Sequence, residues 1–478
     1  MAPVILWSDV LIWLLVVAAI ALGWLSARNP LLRAAWQRVG RNRAGMASAT
    51  VLLAFVGVGL LDSIHFRSLL ESSAGPAAAR PAAQAYSVDV LSLLDVALTP
   101  LRTRNEKTYS EPLATRAHAK ESTEVRAADG RIRQSRDYPR LKYGGAHLGA
   151  DEAGHDADVG DRLLRASGIA ALVWGALAAA MAGGLARAEA CSRREAWRRI
   201  WRNESDFAGN AVLVAMAVLL LLGLSMAMLA TPYHVFGTDK VGQDVLYQVL
   251  KSVRTALVIG LVTTLVMLPL SIFLGVVAGY FRGWIDDLIQ YLYTTLSSIP
   301  GVLLIAAAVL MMQVVIDTHP HWFTTAAERA DLRLLALCFI LGVTSWTGLC
   351  RLLRGETLKL RELEYIQAAQ AFGVSDLRII ARHILPNLMH IVIIALVMDF
   401  SSLVLAEAVL SYVGIGVDPT MISFGTMINN ARLELAREPM VWWSLAAAFV
   451  FMFTLVLAAN LLADAVRDAF DPRLAGSA

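Results

Sequence analysis

The chain has 478 residues, of which 57% are hydrophobic and only 17% charged, with a net charge of +3. That balance excludes a soluble globular domain, because the apolar residues are gathered in runs about as long as a bilayer is thick. The basic residues lie in patches beside those runs, which is topology information and not a nucleic-acid footprint, and Cys191, Cys338 and Cys350 have neither a disulfide framework nor metal-ligand spacing.

The predicted elements are apolar helices over roughly 5–26, 46–62, 167–186, 208–230, 255–280, 288–315, 334–350, 388–412 and 441–463. At 1.5 Å per residue each crosses a hydrocarbon layer of about 30 Å, so the expected fold is an all-α polytopic membrane protein with about nine spans. The first run lacks the basic flank and small-residue cleavage site of a secretory signal and reads as a spanning helix. Arg28, Arg33, Arg38, Arg41 and Arg43 follow it without an acid. This loop, 187–206 and 351–387 are the richest in Lys and Arg, and all three fall on one side in the nine-span reading. The N-terminus is then expected outside and the C-terminus in the cytoplasm.

Between the second and third spans, residues 62–167 are a different material, rich in Ala, Arg, Asp, Glu and Ser. TPLRTRNEKTYSEP carries turn and charge chemistry, whereas Gly75–Ala83 reads as a linker. A small fold packed on the membrane region is expected there.

Several polar groups interrupt the spans. Asp399 and Glu407 lie within 388–412, where an unpaired charge costs on the order of 3 kcal/mol. Eight residues apart, they fall about 80° apart around a helix and suit either a translocation path or a pairing with a neighbouring element. Ser297, Ser298 and Pro300 break the sixth span, either to line a pathway or as local backbone relief. Gly275 and Gly279 form a small-xxx-small pair for close helix packing. His319, His321 and Trp322 supply too few ligands for a stable metal site and read as a solvated loop.

The segment Tyr365–Pro386, YIQAAQAFGVSDLRIIARHILP, is polar and lies between two apolar runs. From Glu356, the residues Leu360, Leu363, Ile366, Ala369 and Phe372 recur about every third position, predicting an amphipathic helix. Gly373 supplies a left-handed stop, Ser375 with Asp376 a cap for the next helix, and Pro386 fits the first turn of the following span. Small residues at Ala368, Ala369 and Gly373 leave room for another chain at the corner. The plainer reading is an ordinary surface helix with a capped turn.

The spacing Gln367-Ala368-Ala369, three residues, Gly373, nine residues, His383, then Leu385-Pro386 resembles the EAA loop of ABC-importer permease subunits. Gln367 stands where that family usually has Glu. A second stretch, HVFGTDKVGQDVLYQVLKSVRTALVIGL, resembles the dipeptide, oligopeptide and nickel permeases, with Gln243 in place of Arg; AGYFRGWIDDLIQ with LSSIPGVLL, and LAEAVLSYVGIGV with SFGTMINNAR, resemble the same subfamily. The resemblance covers about Asp206–Asp471 and nothing comparable covers 1–205. It implies a type I permease core of six helices over 206–478, preceded by two helices (1–66), an extracytoplasmic insert (67–166) and a third helix with a basic linker (167–205).

By the same resemblance, Gln367, Ala368, Ala369, Phe372, Gly373, Ser375, Asp376, His383, Leu385 and Pro386 belong to the coupling loop that docks on an ATPase subunit. Phe236, Gly237, Thr238, Asp239, Gly242 and Asp244 would lie in an outer segment near a substrate-binding protein. The implied partners are a second related permease, two ATPases, the binding protein, a di- or oligopeptide substrate and membrane lipid, in the bacterial inner membrane. The chain contains no phosphate-binding GxxxxGK[ST] loop and no HExxH or GxSxG motif, so no cofactor and no catalytic residue are expected in it; ATP would be bound by the partner subunits. Competing readings are a permease for nickel or another small solute, an ion-coupled secondary transporter using Asp399 and Glu407, and a non-transporting membrane sensor.

Overall fold

The computed structural model describes residues 2–28, 30–69, 86–87, 89–126, 132–149, 154–205, 207–323 and 325–470. The expected linker Gly75–Ala83 lies outside these residues. The described helices are α1 (Trp7–Arg28), α2 (Pro30–Arg41), α3 (Arg43–Asp62), α4 (Leu93–Ala97), α5 (Thr99–Thr103), α6 (His155–Ala188), α7 (Arg193–Arg202), α8 (Gly209–Ala230), α9 (Val245–Phe281), α10 (Trp284–Ser298), α11 (Gly301–Thr318), α12 (Ala326–Ser345), α13 (Thr347–Arg361), α14 (Glu364–Ala371), α15 (Asp376–Ile379), α16 (Leu385–Val413), α17 (Phe424–Glu434) and α18 (Trp443–Phe470). The strands are short: β1 (Ala2–Val4), β2 (His65–Arg67) and β3 (Leu91–Ser92) in one sheet of that order, and the antiparallel hairpin β4 (Glu121–Arg126) and β5 (Ile132–Asp137). Among the described residues, eight helical stretches are long and apolar enough to cross a membrane, and α1 adds a shorter apolar helix over Trp7–Ala21.

Several of the expected spans change form: the third begins at His155, well before 167, and the seventh and eighth are also longer than expected. The sixth does not run as one helix over 288–315, because Ile299 is extended (φ −91°, ψ 132°) between α10 and α11. Pro300 drives its predecessor out of the helical region and offers no N–H, so Ser297 and Ser298 end one helix on an exposed corner. The fifth is longer than expected: α9 has 37 residues and contains Pro269.

The chain forms two compact units, each continuous in space but not in sequence. In the unit made of Met1–Pro3, Gly40–Thr255 and Ile422–Ala458, α8 packs against α3 and α6. Ala166, Ala170, Ala178, Ala182 and Ala186 are buried along α6, and this small-residue stripe lets the α8 backbone approach, with Trp174 Nε1 donating to Leu213 O at 2.9 Å. The basic helix α7 lies across this pair, burying Ala196 and Ile200.

The other unit comprises Val4–Val39, Ala256–Met421 and Ala459–Ala478. Here glycines set the packing. A Cβ on Gly279 would stand 2.6 Å from Thr357 Cβ and one on Gly275 2.8 Å from Cys350 O, so the expected pair is the contact face of α9 for α13. Half of the apolar stretch of α9 is buried, against 11% for α8, which makes α9 a core helix, whereas most of α8 is half-buried. The N-terminal helix joins this unit through Ser8, whose backbone N–H donates to the buried Asp331 carboxylate at 3.2 Å.

Candidate functional site

The corner at Gly373 is built from a rigid base and an exposed tip. The expected continuous helix from Glu356 instead stops at Arg361 and restarts as α14 after Leu363, so the apolar stripe is divided. Ile366 is fully buried, Leu363 is 42% exposed and Phe372 is 87% exposed. Gly373 has φ +73° and completes a Schellman motif: its N–H donates to Gln370 O at 2.9 Å and Val374 N–H to Ala369 O at 3.1 Å. Ala369 and Val374 pack together on the cluster around Leu349, Leu353 and Tyr280, which closes the motif hydrophobically.

The return limb is fixed by Ile379, Ile384 and Leu388, all fully buried in the same cluster. Ser375 does not cap α15 with its hydroxyl; its carbonyl accepts from Arg378 and Ile379 N–H instead. Asp376 is taken by Tyr280, whose hydroxyl donates to Oδ1 at 2.7 Å while accepting from Gln370 Nε2 at 3.2 Å. One π-helical turn over Ile380–Ile384 joins α15 to α16. Pro386, in the first turn of α16, has no N–H for the ordinary i−4 bond, and the wider turn absorbs that loss. Leu385 is half-buried beside it, and His383 faces Tyr365 edge-on with ring centroids 6.0 Å apart.

Gln367, where the resembling family carries Glu, donates weakly to Glu362 O at 3.3 Å, and Glu362 pairs with Arg282. Sequence reasoning missed the clamp beneath the loop: Arg354 Nε and Nη2 meet Asp286 Oδ1 and Oδ2 at 2.5 and 2.7 Å. Arg354 holds the Asp286 carboxyl below the usual carboxylate range, with burial opposing. A bidentate pair of this kind fixes orientation as well as position. Ala368, Phe372 and Leu377 are thus presented outward on a base that is buried and hydrogen-bonded.

The second expected segment has a different setting. Gly237, Thr238, Gly242 and Asp244 are buried, and Phe236 and Asp239 half-buried, beneath residues of the insert. Thr238 Oγ1 accepts from Ser110 N–H at 2.7 Å and donates to Thr108 O at 2.9 Å, while Glu106 N–H donates to Gly242 O at 2.9 Å. A Cβ on Gly242, at φ +75°, would overlap the Glu106 carbonyl, so the insert lies directly on the turn. Asp239 closes the turn by accepting from Val241 and Gln243 N–H, both at 2.9 Å. Phe236 packs edge-on against Phe451 at 6.0 Å, and Trp443 Nε1 donates to Thr238 O at 3.0 Å.

Charge locks this joint. His234 Nδ1 lies 2.7 Å from Asp244 Oδ2 and Nε2 lies 3.5 Å from Glu106 Oε1. Burial pushes the His234 imidazole down, but the Asp244 and Glu106 carboxylates outweigh it and raise it to about 9. Burial likewise pushes Glu106 up, and His234 with the backbone N–H groups of Lys142, Tyr143 and Gly144 brings it down to about 2. Nearby, Lys251 Nζ bridges Asp62 and Asp95 at 2.6 and 3.2 Å, fastening α3 and α4 to α9. Neither the Glu106–His234 pair nor the Lys251 bridge has a sequence signal, because their partners are more than a hundred positions away.

Of the intramembrane carboxylates, Glu407 is buried and accepts from Ser411 Oγ at 2.6 Å. The Asp399 carboxylate is half-buried and has no hydrogen bond or ion pair among the described residues. No group of three or more His, Cys, Asp or Glu positioned to hold a metal ion occurs among the described residues.

Residues 271–476, which contain the whole Gly373 corner, match the family model described as binding-protein-dependent transport system inner membrane component. The chain is 32% identical over 306 residues to the glutathione transport system permease protein of Pectobacterium atrosepticum, covering 59% of this chain and 93% of that one. It is 32% identical over 288 residues to the oligopeptide transport system permease protein of Mycobacterium tuberculosis (58% and 92%) and 27% identical over 294 residues to the dipeptide transport system permease protein of Bacillus subtilis (59% and 86%). The chain therefore belongs to the family of inner membrane components of binding-protein-dependent transport systems.

Proposed function

We propose that this protein is the membrane-spanning permease subunit of an ATP-binding-cassette importer for di- or oligopeptides. The observation that carries this reading is the Gly373 corner. Phe372 and Leu377, 87% and 79% exposed, project from a base anchored by Ile366, Ile379 and Ile384. Large apolar side chains held out on a rigid support suit a groove on a partner that must be pushed and pulled. The partners are two ATPase subunits at this corner, a second related permease completing the pathway, and an extracytoplasmic binding protein that delivers substrate. ATP is bound by the ATPases, and closure of their dimer swings the membrane helices through the corner as a rigid body.

The relatives named for glutathione, dipeptides and oligopeptides favour a peptide over nickel as the cargo. The placement is the bacterial inner membrane, with the N-terminus outside and the C-terminus in the cytoplasm, supported by the basic loops at 27–45, 187–206 and 351–387. On this reading the binding protein meets the insert surface over the buried turn at Thr238.

The test is uptake of a labelled tripeptide by cells carrying the wild-type chain or Gly373→Arg, with co-purification of the ATPases from both. A Cβ at Gly373 would have no neighbouring atom within 4 Å, so the substitution acts through the φ of +73° and through projection from the corner. Insertion with loss of both ATPase and uptake supports the reading. Uptake without bound ATPase overturns it and favours an ion-coupled carrier centred on the unpaired Asp399.

A further inference from the structure

Helix α7, RREAWRRIWR, lies outside residues 271–476, which match the family model, and takes no part in the corner or the outer joint. Its apolar face, Ala196 and Ile200, is buried against α6 and α8. Its basic face is not satisfied by the protein. Arg199 pairs with Glu189 and Glu195 at 2.7 and 2.9 Å, whereas Arg193, Arg194 and Arg198 have no carboxylate partner among the described residues. These three arginines, with Trp197, line an open cleft of about 510 Å³ whose other wall is Ala179 and Ala182 of α6.

The two walls differ in chemistry. One offers three guanidinium groups; the other is a smooth alanine surface on a membrane-length helix whose Val173 and Leu177 are exposed, 38% and 41%. The cleft is therefore continuous with the surface that faces hydrocarbon, and Trp201, 44% exposed on α7, sits where aromatic side chains meet the bilayer interface. A soluble anion would satisfy the arginines and leave the alanine wall bare. A zwitterionic lipid would fill the wall and bring its own cation to the arginines.

We propose that the cleft between α6 and α7 binds an anionic phospholipid, its phosphate held by Arg193, Arg194 and Arg198 and the start of its acyl chains lying on the exposed Ala179, with the buried Ala182 at the base of the cleft. Cationic pockets at the ends of spanning helices are suited to such headgroups. Bound there, the lipid ties the amphipathic helix to α6 at the level of the interface.

The full chain, purified in detergent, is titrated with phosphatidylglycerol, phosphatidylcholine or inorganic phosphate and read by native mass spectrometry. Phosphatidylglycerol is expected to be retained in preference to phosphatidylcholine, and inorganic phosphate not to displace it. In R193Q/R194Q/R198Q the retention falls about a hundredfold. Arg165→Gln, an exposed arginine of α6 paired with Asp161, leaves it unchanged. Ala179→Trp alters an exposed position, so it decides the matter if the triple variant does not fold; it is expected to abolish retention by filling the acyl wall. Equal retention of the two lipids, displacement by phosphate alone, or undiminished phosphatidylglycerol binding in Ala179→Trp would each overturn the proposal.

Discussion

Replacing Glu106 by Gln removes one of the two anions that hold His234 charged and leaves an amide facing the backbone donors of the 142–144 turn. Those donors sit at 2.8, 2.7 and 3.2 Å from the carboxylate; the amide oxygen can still accept from Tyr143 and Gly144, but the nitrogen that replaces the other oxygen cannot accept from Lys142. Both side chains are almost fully buried, 5% and 4% exposed, so water does not screen the loss. The fall of the Glu106 carboxyl from 4.5 to about 2 corresponds to about 3 kcal/mol favouring its charged form in the joint. The rise of His234 from 6.5 to about 9 has a similar size but shares the same contact, so the two are not summed.

A loss of about 3 kcal/mol raises local opening about a hundredfold, which hydrogen exchange at Lys142, Tyr143 and Gly144 reads directly. The pH dependence has a definite sign. Glu106, depressed when folded, contributes fully above about 4.5 and loses its contribution as pH falls towards about 2; His234, raised when folded, contributes fully below about 6.5 and loses its contribution as pH rises through about 9. Wild-type protection at the joint is thus greatest between about pH 4.5 and 6.5. Glu106→Gln abolishes the acid limb. Unchanged protection of this turn in the variant at pH 6 would refute the assignment of Glu106 as the lock.

The remaining predictions concern the corner and its support. Phe372→Ala, at an 87% exposed position, is expected to leave the melting temperature of the isolated chain within about 1 °C while reducing ATPase co-purification at least tenfold; a matching loss of stability would show that the side chain packs inward. Arg354→Gln leaves Asp286 without its bidentate partner and should destabilise by about 3 kcal/mol, with Asp286→Asn on the same chain restoring part of the loss in thermal denaturation. Gly279→Val places branched carbons where Thr357 Cβ already stands 2.6 Å away, so a loss of about 1–3 kcal/mol is expected, whereas Gly184→Val, with nothing within 4 Å, should change the melting temperature little.

Local patterns were legible in the chain. The Schellman stop at Gly373, the apolar runs and the small-residue pair Gly275 and Gly279 depend on residues within a few turns of one another, and each lies where periodicity or glycine chemistry puts it. Phe372 shows where that reasoning ends. It belongs to the same every-third-residue stripe as Ile366, yet one is 87% exposed and the other fully buried, because Ile366 lies in α14 and Phe372 caps its end six residues on, about 120° around the same helix, so a spacing of three drifts off a single face. The break at Pro300 was visible as a proline, but its extent was not.

Composition and periodicity alone determined that this is a helical membrane protein with a polar, glycine-stopped corner between two spans, since burial in lipid demands long apolar helices and a left-handed turn demands glycine. Only the tertiary structure decided that the insert closes over the Thr238 turn, that Glu106 and His234 share a charge, and that Lys251 ties three elements together. Those contacts join residues far apart in the chain, and a charged side chain carries no mark in its own neighbourhood of the partner it will meet after folding.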